Sequence, residues 1–277
     1  MSEYTIKAQI LSVGITTPSI VDFQSFKLML QTNEVFDISR PLEKYSPTFL
    51  PSNERRRTTQ TIKIALKTAE EALNYFQTTY PNADTQIPVL FVCKDGDSMI
   101  SAKICQAVGE DDPMVSPTQF HNSVHNAPAG YWMIGQSNQA AASAISVGEH
   151  AVANGLLEAI LQSQSENKPV LVVIYDLPLD TLIPVDSSQK FFPPPFAFSF
   201  ILDANALEKA SEFPVLSLLL NQQNREDPVL ESNPYEGLPA AQGYALLKAI
   251  ANYSSESRNN EMYFSLNSNH LIKVSLA

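Results

Sequence analysis

The apolar residues of this chain follow two spacings, one typical of strands and the other of helices. β-Branched residues are frequent from Tyr4 to Thr16 and predict a strand. Continuous apolar runs from Pro88 to Cys93 and from Val170 to Tyr175 predict strands that are covered on both faces. Between the predicted strands Tyr4–Thr16 and Pro88–Cys93, apolar residues recur every three or four positions through about 57–78 and predict a helix. Such alternation favours an α/β fold with a mostly parallel sheet.

The shorter elements continue this alternation. Ser19 is a candidate cap for a short helix, and the mostly apolar segment 149–163 predicts a largely buried helix. The other expected elements are strands at Phe196–Leu202 and Val215–Leu220, a polar exposed connector at Asn221–Asn233, a helix at Ala240–Ala251 and a closing strand or hairpin at Met262–Ala277.

The composition restricts the classes of partner that the protein can bind and indicates the compartment in which it is expected. The 277 residues carry a formal net charge of −11, which disfavours nucleic acids and anionic membranes because both need clustered positive charge. No apolar run approaches the ~18 residues of a membrane span, and MSEYTIKAQIL is not a secretory signal. Cys93 and Cys105 have no framework spacing and are expected to be reduced core residues. We therefore expect a cytoplasmic protein with no nucleic-acid or membrane partner.

Two motifs carry a family resemblance. Ser116 to Gly130 reads SPTQFHNSVHNAPAG, and Asn53 to Arg57 reads NERRR just before the predicted helix. Both resemble the β-ketoacyl synthases, in particular their short "ketoacyl synthase 2" branch. The resemblance implies the thiolase fold, which is built from two βαβαβαββ halves. It also implies one thiolase-like domain over 1–277, with a nearly complete first half at about 1–220 and a truncated second half at about 221–277.

The same resemblance places the family's catalytic cysteine on a residue without sulfur. Continued without a gap, the family's buried strand falls on Ala142 to Val147, and its next helix begins near Glu149. The nucleophile then falls on Glu149, between Gly148 and His150. A full ketosynthase has two histidines and a lysine further along, but Asn221 to Met262 contains no histidine. We therefore expect no catalytic residues, no metal, no cofactor and no turnover by this chain alone.

Inactive ketosynthase homologues, the chain-length factors, suggest a partner. They form heterodimers with a catalytic β-ketoacyl synthase subunit and shape its acyl tunnel, so an acyl carrier protein is involved only indirectly. The resemblance places Gln119 and Phe120 towards the tunnel. Similarity to the short branch of the family also suggests the partner subunits of aryl polyene biosynthesis, a type II pathway. It also assigns one strand to the two-fold axis of the dimer, where it lies antiparallel to its mate: Val170, Leu171, Val172, Val173, Ile174 and Tyr175.

Alternatives remain open for several residues. Glu149 with His150 could support decarboxylation of a malonyl thioester, or the site could bind acyl groups without a partner. Glu149 could equally be an ordinary acid at a helix N-terminus. His121 and His125 lie four residues apart and could share a helix face as metal ligands or as structural residues. Arg55–Arg57 could dock an acidic carrier protein or form salt bridges within the domain.

Overall fold

The computed structural model describes residues 4–178, 193–207, 211–223, 233–254 and 261–277. The strands in these ranges are β1 Tyr4–Thr16, β2 Val89–Cys93, β3 Ala142–Ser146, β4 Val170–Asp176, β5 Phe196–Asp203, β6 Val215–Gln223, β7 Glu261–Asn267 and β8 His270–Leu276. The α-helices are α1 Phe23–Thr32, α2 Ser52–Arg55, α3 Gln60–Thr79, α4 Ser98–Val108, α5 Pro117–Asn122, α6 Ala127–Gly135, α7 Ala151–Glu166 and α8 Tyr244–Ala251. Two 3₁₀ turns, Gly148–His150 and Pro239–Gly243, precede α7 and α8.

The described strands form one sheet in the order β3-β2-β4-β5-β1-β6-β8-β7. The first five form a mixed unit in which β2 is parallel to β3 and β4, whereas β5 is antiparallel to β4 and β1. Along the chain this unit reads βαβαβαββ, with α3, the α4–α6 segment and α7 as its crossovers. It is therefore a complete first half of a thiolase-like fold.

The second half is truncated. The order β6-β8-β7 repeats the order β1-β5-β4 of the first half, and β6 joins the two by pairing antiparallel with β1. Counterparts of β2 and β3 are missing from the described part of the second half. No helix in the described ranges is long and apolar enough to cross a membrane.

Each face of the first-half sheet has its own apolar core, because alternate side chains of a strand point to opposite faces. On β4, Val172 and Ile174 join the core that contains α7, while Val173 and Tyr175 join the core that contains α3. All seven residues of β4 are buried. The continuous apolar run in the sequence thus reflects a strand that is covered on both faces.

The position of β4 contradicts its predicted role as the dimer strand. Both of its hydrogen-bonding edges are occupied within the chain, one by β2 and the other by β5. Val170, Leu171, Val172, Val173, Ile174 and Tyr175 therefore cannot pair with a strand of another subunit. The strand at this end of the sheet is β3, which pairs only with β2 among the described strands.

The sequence prediction was wrong at further points. The sheet was expected to be mostly parallel, but of its seven described strand pairs only β2–β3 and β2–β4 are parallel. β3 was expected to be buried, but Ala142 and Ser146 are exposed and the three residues between them are half-buried. Asp22, not Ser19, caps α1: its side chain accepts a hydrogen bond from the Ser25 N–H and forms a capping box. Residues 221–223 continue β6, and residues 224–232 of the predicted connector lie outside the described residues.

Candidate functional site at the start of α7

The turn between β3 and α7 contains the residue that the sequence aligns with the family nucleophile. The Val147 N–H donates to the Cys93 carbonyl at 3.3 Å, which holds this turn against the end of β2. Gly148 then adopts φ +57°, a left-handed conformation that favours glycine. Gly148 begins the 3₁₀ turn Gly148–His150, which places Glu149 two residues before Ala151, the first residue of α7.

The Glu149 side chain is exposed and paired rather than enclosed in a pocket. Its Oε1 lies 2.5 Å from Lys94 Nζ, and 62% of the side chain is exposed. This hydrogen bond raises the pKa of Lys94. A carboxylate in such a pair is a poor nucleophile, and the geometry gives no support to the alternative in which Glu149 and His150 decarboxylate a thioester.

The second half of the chain packs onto this turn. Gln242 Nε2 donates to the Glu149 carbonyl at 3.3 Å. Nearby, the buried Asp176 carboxylate accepts hydrogen bonds from the Lys94 N–H at 2.7 Å and the Ala240 N–H at 2.9 Å. Burial raises the Asp176 pKa to about 7, although the two N–H donors act in the opposite direction. Sequence reasoning missed Asp176, although a carboxylate directly after a fully apolar strand is a signal for such a role.

Neither cysteine takes the place of the missing thiol. Cys93 belongs to the core on the α3 face of the sheet, whereas α7 packs on the opposite face. Its sulfur accepts a hydrogen bond from the Gly96 N–H at 3.2 Å, and burial raises its pKa to about 11, which disfavours the thiolate. Cys105 is exposed on α4, contrary to the expectation of a core residue.

The predicted histidine pair does not share a helix face. His121 lies in α5 and its ring makes an edge contact with Tyr131, whereas His125 follows the end of that helix. His150 is half-buried and its Nδ1 has no hydrogen-bond partner. The described residues contain no group of three or more His, Cys, Asp or Glu that could hold a metal. Among the arginines, Arg57 forms a 3.6 Å ion pair with Glu54.

An open groove lies beside β3, along the edge that is not paired with any strand in the described part of the chain. It has a volume of about 560 Å³ and lies between β3, α6 and the segment 123–126. Next to this segment, Phe120 on α5 is 67% exposed and Val124 is 50% exposed. Gln119, the other residue predicted to face a partner, is half-buried. The structure thus combines a strand edge that no other described strand occupies with large apolar side chains in solvent.

Comparisons with known proteins establish the family. The family model "Beta-ketoacyl synthase, N-terminal domain" matches residues 31–262. The chain belongs to the β-ketoacyl synthase family. No curated protein matches the sequence.

Solved structures agree on the fold over nearly the whole chain. One similar structure is "Ketosynthase (ApeO) in Complex with its Chain Length Factor (ApeC) from Xenorhabdus doucetiae", with 20% identity, a TM-score of 0.67, and coverage of 98% of this chain and 99% of the other. Another is "The ishigamide ketosynthase/chain length factor", with 10% identity, a TM-score of 0.70 and the same coverage. At these identities the likeness shows the thiolase-like fold.

Proposed function

We propose that this chain is a non-catalytic, chain-length-factor-like subunit that pairs with a catalytic β-ketoacyl synthase and shapes its acyl tunnel. The observation that carries the proposal is the pairing of Glu149 with Lys94 at the start of α7. Where the family alignment places a catalytic thiol, this chain has an exposed carboxylate in an ion pair. This substitution removes the acyl acceptor that condensation requires.

The surface around β3 supports the partner role. An unpaired strand edge offers a row of N–H and C=O groups that another strand can complete. Here such an edge adjoins the groove of about 560 Å³ and the exposed Phe120 ring. We infer that β3 pairs with a strand of the ketosynthase, and that Phe120 and Gln119 reach towards the partner's acyl tunnel. This assigns to β3 the role that the sequence had given to Val170–Tyr175.

The proposal extends to the type of pathway and the class of product. Both similar structures are of a ketosynthase with a chain-length factor, and the sequence resembles the short branch of the family. We propose a type II pathway that extends acyl chains on a carrier protein, with aryl polyenes as the favoured product class. The acyl carrier protein would then bind mainly to the catalytic subunit, and the heterodimer would be cytoplasmic.

Co-expression tests the pairing directly. Because the second half is truncated, we expect the chain alone to fold with low stability, and co-expression with its cognate full-length ketosynthase to raise its stability and its soluble yield. Multi-angle light scattering of the purified pair should give the mass of one copy of each subunit. An obligate interface of this kind buries about 2,000 Å² or more, so the pair should survive gel filtration. A stable monodisperse monomer that does not bind the ketosynthase would refute the proposal.

A further inference from the structure

A second cleft lies away from Glu149, at the carboxyl end of β1. It has a volume of about 320 Å³ and is formed by the last part of β1, the loop segment 42–45 and the first two turns of α3. In open α/β sheets, ligands bind outside the carboxyl ends of strands. The size is also within the range of small-molecule sites, about 300–1,000 Å³. The position and the size therefore suit a small ligand.

The lining of this cleft is positive although the chain is acidic overall. Three lysines, Lys44, Lys63 and Lys67, contribute to it, against a single acid, Glu43. Lys67 Nζ lies 2.6 Å from Glu43 Oε2, so these two charges neutralise each other. Among the described residues, Lys44 and Lys63 have no ion-pair partner. Two uncompensated positive charges thus face one cleft in a chain whose net charge is −11.

The cleft also contains a polar group without a partner. Thr16, at the end of β1, lines the cleft and is only 3% exposed. Its Oγ1 has no hydrogen-bond partner. A buried hydroxyl without a partner costs about 1–3 kcal/mol, so most such groups in proteins are satisfied. The oxygen itself is sealed from solvent, so a rotation of the side chain about χ1 would have to turn it into the cleft, where a ligand oxygen would give this hydroxyl an acceptor.

Apolar side chains complete the wall. Leu42 and Ile64 line the cleft from the loop and from α3. The Tyr45 hydroxyl donates to Glu70 Oε2 at 2.7 Å, which fixes the tyrosine ring between the loop and the helix. The wall is therefore preformed, and it offers carbon surface beside the two lysines.

We propose that this cleft binds a small phosphomonoester. Its phosphate would lie between Lys44 and Lys63 and accept a hydrogen bond from the Thr16 hydroxyl, and its carbon body would lie against Leu42 and Ile64. The charges match, because a phosphomonoester carries about −1.5 to −2 at pH 7. Lysine is a common phosphate ligand that acts as a point charge. The site is independent of the proposed pairing with a ketosynthase.

Isothermal titration calorimetry on the full chain tests this proposal, with glycerol 3-phosphate as the probe. We expect saturable binding of glycerol 3-phosphate, weaker binding of inorganic phosphate and no binding of glycerol or acetate. Lys63→Gln keeps a good helix former in α3 and should weaken binding at least about tenfold, since it removes a charged hydrogen-bond donor. Thr16→Val, which keeps the shape of the side chain, should also weaken it.

The control is Lys103→Gln, which removes an exposed lysine on α4 without altering the cleft. Circular dichroism establishes that each variant is folded, and Lys44→Gln, in an exposed loop, provides a second test of the same charge. The proposal is overturned if glycerol 3-phosphate gives no binding heat, if acetate binds as tightly, or if folded Lys63→Gln and Lys44→Gln both retain the wild-type affinity.

Discussion

The Asp176 carboxylate accepts a hydrogen bond from the Ala240 N–H at 2.9 Å and thereby joins the two halves of the chain. Asp176 ends β4 in the first half, whereas Ala240 lies in the 3₁₀ turn before α8 in the second half. The other carboxylate oxygen accepts from the Lys94 N–H at the end of β2. The buried Asp176 side chain therefore holds the truncated second half against the end of β2, next to the turn that contains Glu149.

Asp176 and the half-buried Glu71 of α3, whose carboxylate accepts hydrogen bonds from the Ile15 and Phe23 N–H groups, together predict that stability falls as the pH rises. Burial raises the Asp176 pKa from 3.8 to about 7 and the Glu71 pKa from 4.5 to about 8. The folded state then holds protons that the unfolded state has lost, so their stabilising contribution is full below the unfolded values. It is lost as the pH rises through about 7 and 8. Urea denaturation should therefore give a lower free energy of unfolding at about pH 8.5 than at about pH 5.

Two substitutions test whether Asp176 and Glu71 cause this dependence of stability on pH. Asp176→Asn and Glu71→Gln cannot ionise, so each should flatten the dependence of the unfolding free energy on pH. Glu166→Gln is the matched control, because it removes an exposed acid at the end of α7. An unchanged pH slope in both Asp176→Asn and Glu71→Gln would contradict the assignment.

Replacement of Glu149 should leave product formation intact. In the reconstituted heterodimer, Glu149→Ala should change neither the rate nor the chain length of the product, since this chain supplies no nucleophile. An exposed ion pair contributes about 0–1 kcal/mol, so the stability loss should be small and similar to that of Lys94→Met. Mass spectrometry of the products gives the readout, and a large rate loss in Glu149→Ala alone would show a chemical role.

A proline in β3 should abolish pairing without unfolding the chain. The Ala141 carbonyl and the Val147 N–H both bond to β2, so by alternation the Ala144 N–H faces the open edge. Ala144→Pro removes this outward donor and leaves the β2 ladder intact, as proline on an edge strand allows. Ala144→Ser, of similar size, is the control. Gel filtration with the ketosynthase should show a complex only for Ala144→Ser; retention of the complex by Ala144→Pro would argue against β3 as the interface.

Changes at Phe120 should alter product length rather than stability. The ring is 67% exposed in the isolated chain, so its removal loses little buried surface. If it closes the partner's tunnel, Phe120→Ala should lengthen the product and Phe120→Trp should shorten it. Leu28→Ala, at a similarly exposed position on α1, should change nothing. Identical product profiles for all three variants would exclude Phe120 from the tunnel wall.

The local spacing of apolar side chains was sufficient to predict much of the secondary structure. The strand predicted at Tyr4–Thr16 has those bounds in the structure, and the stripe predicted at about 57–78 is the helix Gln60–Thr79. These elements depend on side chains a few residues apart, whose spacing the sequence displays directly. The family followed from SPTQFHNSVHNAPAG for the same reason, because a motif is a local property of the chain. The position of Glu149, by contrast, stays a prediction from the alignment.

The roles of strands and clefts depended on contacts that are distant in sequence. Val170–Tyr175 reads as an apolar strand, and the resemblance places the family's buried strand on Ala142–Val147, yet β4 lies inside the sheet and β3 at its edge. Strand order is set by pairing between segments that local spacing does not specify, so the sequence offered no check on the dimer strand that the family resemblance had assigned to Val170–Tyr175. The basic cleft has the same origin, because Thr16, Lys44 and Lys63 meet only when α3 and the loop before it pack against the end of β1.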